Sequence, residues 1–298
     1  MKSYEFLKPT LAIVLALLLS VRPAQSGIGP AANITNLSTR AFVSGDPLDL
    51  PNSFAIAGFT ITGTDPKQVV IRGLGPTLTN FNLTPGFGDP KVGLYDVSGT
   101  LIFSNNNWKD TQQAAIEATG LAPPFDVESA ILITLPPGKY TAILSAEGFA
   151  FGGFALVEVY DINPGVLAEL TNVSARGLVQ NDSSLVLICG LIASGGNGST
   201  TVLLRGLGPT LSEFGIGGRG FGPLPDPVLT LVDGNGNVLQ SNNNWKDAQQ
   251  AAIQATGLAP PNELEAAILA TVVAGNYTVI LSGNAGSAGI GLVEIYKL

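Results

Sequence analysis

Hydrophobic and polar residues alternate in many short segments along this chain, and turn-forming residues separate the segments. In the first half they fall at about residues 33–43, 53–62, 67–74, 91–97, 101–104, 128–135, 139–146 and 153–162. Turns rich in glycine, proline or serine, such as residues 97–100 and 136–139, join several of them as hairpins. About eight short strands at this spacing are typical of a β-sandwich. We therefore predict an all-β fold.

One polar segment interrupts the strand pattern and occurs twice. Residues 104–124 read SNNNWKDTQQAAIEATGLAPP, and residues 241–261 repeat them with two differences. The pattern predicts a short helix with Asp110 as N-cap, Gln113 completing a capping box and Gly120 following the last turn. It is the only helix predicted in each copy.

The rest of the chain is also duplicated. ITNLSTRAF matches LTNVSARGL, VVIRGLGPTL matches VLLRGLGPTL, and ALVEVYDI matches GLVEIYKL. The matches give a period of about 136 residues, long enough for each copy to bury its own core. We predict two tandem antiparallel β-sandwich domains, residues 27–162 and 163–298, each with about eight strands and one short helix.

The N-terminus has the pattern of a secretory signal peptide. Lys2 and Lys8 precede an apolar run at residues 11–21, and small residues at positions 24 and 26 suit a cleavage site. We predict that residues 1–26 are removed and that the mature chain has no membrane span. The expected location is extracellular or on the cell surface, with the periplasm as an alternative.

Charge and composition exclude several classes of function. The net charge is −8 at pH 7, so nucleic acid, which is bound through basic residues, is not an expected partner. Histidine is absent, which excludes Ser-His-Asp chemistry and most zinc sites. The one cysteine, Cys189, lies in an apolar run and is expected to be a buried small side chain.

Short motifs in the second half of each copy resemble a known family. The motifs are L-x-D-x-x-G, then S-N-N-N, then E-x-A-I-L and finally G-x-Y-T. They resemble the pre-peptidase C-terminal β-sandwich modules of secreted bacterial proteins, and the whole repeat resembles uncharacterised exported repeats of the RGLGPTL…NNNW type. The first resemblance implies a non-catalytic module, although no catalytic domain is attached here.

Charged residues inside apolar strands indicate structural ion pairs. Arg72 and Glu158 lie in VVIRGLG and ALVEVY, and Arg205 and Glu294 take the same places in the second copy. A buried charge needs a partner, so we expect Arg–Glu pairs. The alternative is that Glu128 and Glu158 form the carboxylate pair of a glycoside hydrolase.

An oxygen-rich set around the helix could bind calcium, which takes six to eight oxygen ligands. The candidate ligands in the two copies are Asp96, Asn105, Asn107 and Asp110, and Asp233, Asn242, Asn244 and Asp247. The alternative is that these residues form turns and helix caps. No cofactor is required, and calcium is the only one expected.

Trp108 with Lys109, and Trp245 with Lys246, could form a sugar-binding platform. The alternative is that each tryptophan belongs to the core beside the helix. The leading hypothesis is a non-enzymatic surface, matrix or adhesion module whose partner is a cell-surface glycan or a matrix protein. Carbohydrate binding through the two tryptophans is the second hypothesis, and glycoside hydrolysis is a lesser one.

Overall fold

The computed structural model describes residues 32–44, 54–148, 151–195, 198–216 and 221–298. The predicted signal peptide lies outside these residues. Within them, no helix has the length and apolar character needed to span a bilayer. The architecture is all-β, as the alternation of hydrophobic and polar residues predicts.

Within the described ranges, the first copy contributes eight strands and two short helices. The strands are β1 (Asn33–Val43), β2 (Ala55–Gly63), β3 (Lys67–Leu74), β4 (Pro90–Asp96), β5 (Leu101–Asn105), β6 (Ser129–Leu135), β7 (Gly138–Ala146) and β8 (Gly153–Asp161). The helices are α1 (Pro76–Thr79) and α2 (Lys109–Ala118).

The second copy repeats this order. Its strands are β9 (Ala168–Val179), β10 (Leu187–Ser194), β11 (Thr200–Leu207), β12 (Pro227–Asp233), β13 (Val238–Asn242), β14 (Ala266–Val272), β15 (Gly275–Gly283) and β16 (Gly289–Lys297). Helix α3 (Gln250–Ala255) corresponds to α2, and 3₁₀ turns lie at Pro209–Phe214 and Asn284–Gly286.

The chain divides into two compact units. The first is Thr35–Gly177, and the second is Leu178–Leu298 with the described residues before Thr35. The sequence predicted a division after residue 162, but β9 pairs antiparallel with β2 along Ala168–Arg176. The opening strand of the second copy therefore adds to a sheet of the first unit.

Two antiparallel strand groups form the first unit. One has the order β5-β4-β7-β2-β9 and the other β6-β3-β8-β1. Gly73 on β3 faces Val92 and Leu144 of the opposite group, and a Cβ at position 73 would lie 2.5 Å from a Val92 methyl carbon. A side chain at position 73 would therefore collide with the opposite group, and glycine avoids this.

The second unit is built in the same way. Its strand groups have the orders β13-β12-β15-β10 and β14-β11-β16. Gly206 on β11 faces Leu229 and Leu281, as Gly73 faces its neighbours in the first unit. The buried Cys189 lies in this core, where burial raises the pKa of its thiol to about 12.

The predicted capping box is wrong. Helix α2 begins at Lys109 with Trp108 in the N-cap position, and no side chain caps it. Asp110 lies inside the first turn and accepts a hydrogen bond from Asn107, while Gln113 donates to Glu117. Gln112 interrupts α2 with non-helical backbone angles, and α3 begins only at Gln250, after Asp247, so neither copy has a continuous helix that follows an aspartate N-cap.

Candidate functional site

Strand β6 is an edge strand, and side chains of the repeated segment cover its outer edge. Among the described residues β6 pairs only with β3. The Asn105 side-chain oxygen accepts a hydrogen bond from the Ala130 N–H at 3.0 Å. The Gln112 amide donates to the Leu132 carbonyl at 2.8 Å and accepts from the Leu132 N–H at 3.0 Å. The two side chains thus replace a neighbouring strand, and we call residues 105–112 and 242–249 the edge cap.

Trp108 completes the edge cap and is part of the core. Its backbone N–H donates to the Glu128 carbonyl at 2.9 Å, and its indole N–H donates to the Phe125 carbonyl at 3.2 Å. The ring packs with Ile116 and Ala130 and is 4% exposed. An indole buried in this way cannot stack on a sugar.

The second copy reproduces the edge cap. Its contacts join Asn242 to Ala267 at 2.9 Å, Trp245 to Glu265 at 2.8 Å, and Gln249 to Leu269 at 2.8 and 3.1 Å. Trp245 is 5% exposed. The predicted sugar platform of Trp108 and Trp245 is therefore wrong, because both rings are held inside the protein. The near-identity of the two segments has a structural explanation in these contacts.

Lys109 and Lys246 lie over the two indole rings. The Lys109 ammonium is 5.2 Å from the Trp108 ring and pairs with Asp126 at 2.5 Å. Lys246 takes the same position over its tryptophan, at 5.5 Å, and pairs with Glu263. Each lysine is held by a partner on the surface, and neither is aimed into a binding groove with its tryptophan.

The Glu128 carboxylate holds the turn that follows the RGLG sequence. It is fully buried and accepts hydrogen bonds from the Gly75 N–H at 3.0 Å, the Thr77 N–H at 2.8 Å and the Thr77 hydroxyl at 2.6 Å. Burial raises the pKa of Glu128, and the hydrogen bonds from Thr77 and Gly75 oppose that rise. Glu265 bonds Gly208 and Thr210 in the second copy.

We expect the difference in unfolding free energy between the wild type and Glu128→Gln to shrink as the pH rises from 4 to 7. A carboxyl group whose pKa is raised by folding stabilises the fold fully below its usual value of 4.5 and loses that contribution as pH rises through the folded value. Glutamine resembles the neutral acid and does not titrate. Urea unfolding at several pH values measures the difference, and a difference that grows with pH would contradict the expectation.

Arg72 and Glu158 form the expected buried ion pair. The Arg72 Nε donates to Glu158 at 2.9 Å, and its other nitrogens donate to the Leu121 carbonyl and the Tyr160 hydroxyl, both at 3.1 Å. Tyr160 in turn donates to the second Glu158 oxygen at 2.9 Å. Burial is the largest of the effects that raise the pKa of Tyr160, so the hydroxyl keeps its proton and remains a donor at neutral pH.

The second copy contains the same network in a more exposed setting. Arg205 donates to Glu294 at 2.8 Å and to the Leu258 carbonyl at 2.9 Å. The Arg205 and Glu294 side chains are 14% and 15% exposed, against 8% and 0% for Arg72 and Glu158. The two networks therefore differ mainly in burial.

A glycoside hydrolase built from Glu128 and Glu158 is not supported. Both residues are fully buried, and both oxygens of each carboxylate accept hydrogen bonds from the protein. Catalytic carboxylates of this class must face a cleft that admits the sugar.

The structure divides the predicted calcium ligands between two places. The Asp96 carboxylate accepts hydrogen bonds from the N–H groups of Ser98 and Thr100 at 2.8 and 2.9 Å. The hydrogen bond from the Ser98 hydroxyl, together with these two, lowers the pKa of Asp96. Asn105 lies opposite Val92, near the other end of β4. At the usual rise of a strand, Val92 and Asp96 are about 13 Å apart. The predicted set is therefore not one site.

The remaining candidate ligands form local pairs. Asn107 donates to Asp110 at 3.2 Å, and Asn244 donates to Asp247 at 3.2 Å. The second copy also separates Asp233, whose carboxylate accepts the Asn235 and Asn237 N–H groups, from Asn242 in the edge cap. Over the described ranges, no three His, Cys, Asp or Glu residues form a group that could hold a metal ion.

Sequence reasoning missed the role of the glutamines in the edge cap. Gln112 and Gln249 are the same residue type in the two copies, which is a signal, but the helix pattern assigned neither of them a contact. Helix periodicity cannot show that a glutamine reaches a strand twenty residues away. That contact depends on where the loop after α2 returns.

We expect Gln112→Ala to lower the unfolding free energy by about 1–3 kcal/mol, because two partly buried backbone groups of Leu132 each lose a hydrogen bond. Amide hydrogen exchange at Leu132 should become faster. The matched control is Gln113→Ala, since Gln113 contacts only the exposed Glu117 side chain and should change stability by less than about 0.5 kcal/mol. Equal effects of the two substitutions would contradict the role of Gln112.

Comparisons with known proteins show only remote similarity. No protein-family profile matches the chain, and no curated protein matches it. Among solved structures, the tandem CBM51 modules of the family 98 glycoside hydrolase from Streptococcus pneumoniae align over 80% of this chain and 83% of theirs, with 9% identity and a TM-score of 0.22.

Two further structures align at the same level. A peptide-N(4)-(N-acetyl-β-D-glucosaminyl) asparagine amidase aligns over 89% of this chain and 96% of its own, with 15% identity and a TM-score of 0.24. The oxalate decarboxylase from Bacillus subtilis aligns over 93% and 77%, with 8% identity and a TM-score of 0.15. Similarity this low carries no argument about function.

Proposed function

We propose that the chain is a non-enzymatic, exported structural module of a cell surface or extracellular matrix. The observation that carries the proposal is the use of the polar residues shared by the two copies. The Arg–Glu–Tyr networks, the buried Glu128 and Glu265, and the edge caps all bind groups of their own fold. A duplicated pattern of this kind supports a framework role, because the shared residues hold strands together.

The N-terminal segment supports export, and the acidic composition suits an extracellular environment. The partner that we propose is a matrix protein. A glycan partner bound through Trp108 and Trp245 is disfavoured because both indoles are buried.

Fractionation of the source cells tests the proposal. We expect the protein in the surface or matrix fraction, and we expect a glycan array probed with the purified protein to give no signal above background. Recovery from the cytosol would contradict the proposed location. Strong binding of one glycan class would contradict the framework role and indicate carbohydrate recognition through residues other than Trp108 and Trp245.

A further inference from the structure

Lys67 and Asp161 face each other inside the first unit. Side chains alternate along a strand, so Lys67 lies on the same face of β3 as Gly73, which faces the opposite strand group. Asp161 on β8 lies opposite Val69, and residues directly opposite each other share a face. Both charged side chains therefore point into the unit from neighbouring strands.

The two charged groups are in contact and shielded from water. The Lys67 Nζ atom lies 2.7 Å from the Asp161 Oδ2 atom, and the two side chains are 1% and 4% exposed. The surface pair of Lys91 and Glu147 has the same distance, 2.7 Å, but its side chains are 39% and 49% exposed. The two pairs therefore differ in their access to water, which competes with an amine for a carboxyl group.

The backbone of Asn163 holds both groups in position. Its N–H donates to the second Asp161 oxygen, Oδ1, at 3.0 Å, and its carbonyl accepts a hydrogen bond from the Lys67 ammonium at 3.4 Å. A donor at Oδ1 stabilises the negative charge that this oxygen gains when the carboxyl carbon is attacked. Groups fixed in contact react faster than free groups by many orders of magnitude.

We propose that Lys67 and Asp161 are joined by an amide bond that forms after the chain folds. The ammonium passes one proton to the Oδ2 atom that it contacts, and the neutral Nζ atom attacks the Asp161 Cγ atom. A carbon–nitrogen bond forms, the bond from Cγ to Oδ2 breaks, and Oδ2 leaves as water with a second proton from Nζ. The reaction needs no cofactor, oxidant or further reactant.

The second copy does not have this pair. Matching VVIRGLGPTL with VLLRGLGPTL, and ALVEVYDI with GLVEIYKL, places Thr200 at the position of Lys67 and Lys297 at the position of Asp161. Threonine and lysine side chains cannot condense to an amide. We therefore expect one bond in each chain, and it lies in the first unit.

The bond closes a covalent ring in the first unit. Lys67 and Asp161 are 94 positions apart, and strands β3 to β8 lie between them. A cross-link of this kind restricts the unfolded chain and keeps β8 attached to β3. This suits the framework role proposed above, but the chemistry of the bond does not depend on that role.

Mass spectrometry of the purified, denatured chain tests the proposal. We expect a mass one water molecule below the mass calculated from the sequence. After digestion with trypsin, we expect a branched peptide that joins β3 to β8 and no cleavage after Lys67, because trypsin requires a free lysine side chain. The peptides that contain Lys91 and Glu147 should be unlinked, since that pair is exposed to water.

Two variants serve as controls. Lys67→Arg keeps the positive charge but cannot form the amide bond, so it should have its full calculated mass. Lys67→Met combined with Asp161→Leu removes both charged groups and leaves no buried charge unpaired, so it remains informative if Lys67→Arg does not fold. This double variant should also have its full calculated mass.

Three results would overturn the proposal: a wild type with the full calculated mass and a free Lys67, a loss of water that maps to other residues, or the same loss in either variant. Cell fractionation tests the framework role separately. Recovery in the surface fraction supports that role whether or not the bond is present, and a cross-linked protein in the cytosol would contradict only the framework role.

Discussion

Glu158→Gln is expected to lower the free energy of unfolding of the first unit by about 3–5 kcal/mol, because it leaves the Arg72 charge buried without its carboxylate. Because Glu158 is fully buried, water has little access to the site and cannot replace the lost carboxylate. Amide hydrogen exchange measures the effect, because it reports on each unit separately.

The second copy provides the matched control for this substitution. Glu294→Gln removes the same interaction where both side chains are partly exposed, and we expect a loss of about 1–3 kcal/mol. Replacing Arg72 and Glu158 together with methionine and leucine should recover most of the stability, because no charge is then left unpaired. Equal losses for the two single substitutions would mean that burial does not determine the effect.

Trp108→Ala is the second substitution for which we expect a loss of about 3–5 kcal/mol, since it opens a cavity against Ile116 and Ala130. Trp108→Phe should have a smaller effect, because it keeps most of the ring and removes only the indole hydrogen bond to Phe125. Thermal and urea unfolding measure both variants.

Lys109→Ala serves as the control for Trp108, because Lys109 makes a surface ion pair and should change stability by less than about 1 kcal/mol. A Trp108→Ala variant with the stability of the wild type would contradict the structural role of the indole. It would reopen the hypothesis that the tryptophans bind a ligand.

The strands could be predicted from the sequence because alternation and turns are local properties. The predicted segments at residues 67–74 and 139–146 correspond to β3 at Lys67–Leu74 and β7 at Gly138–Ala146. Helix α1 was missed because its four residues are too few to show a helical period. The start of α2 was misplaced because Trp108, just before it, is fixed by a hydrogen bond to the Glu128 carbonyl, and the capping pattern does not contain that information.

The networks that hold the fold could be predicted only in part. A charge inside an apolar strand needs a partner, so the pairing of Arg72 with Glu158 followed from the sequence. The position of Glu128 beneath Gly75 and Thr77 did not, because residues about fifty positions apart meet only after the sheets form. The pairing of β9 with β2 was also missed, since a repeat boundary in sequence does not show which unit a strand joins.

The edge cap acts on the backbone of β6, and this has a consequence for protein engineering. Gln112 and Asn105 bind N–H and C=O groups of the strand, so these bonds do not depend on the side chains of the strand beneath them. Strands β6 (SAILITL) and β14 (AAILATV) differ at three positions, but the residues under the cap, Ala130 and Leu132, have the same identity as Ala267 and Leu269. The Trp108 ring also packs on the Ala130 side chain, so the loop could be grafted onto the exposed edge of a designed sheet that keeps an alanine at this position, where unwanted pairing between copies is a common cause of failure.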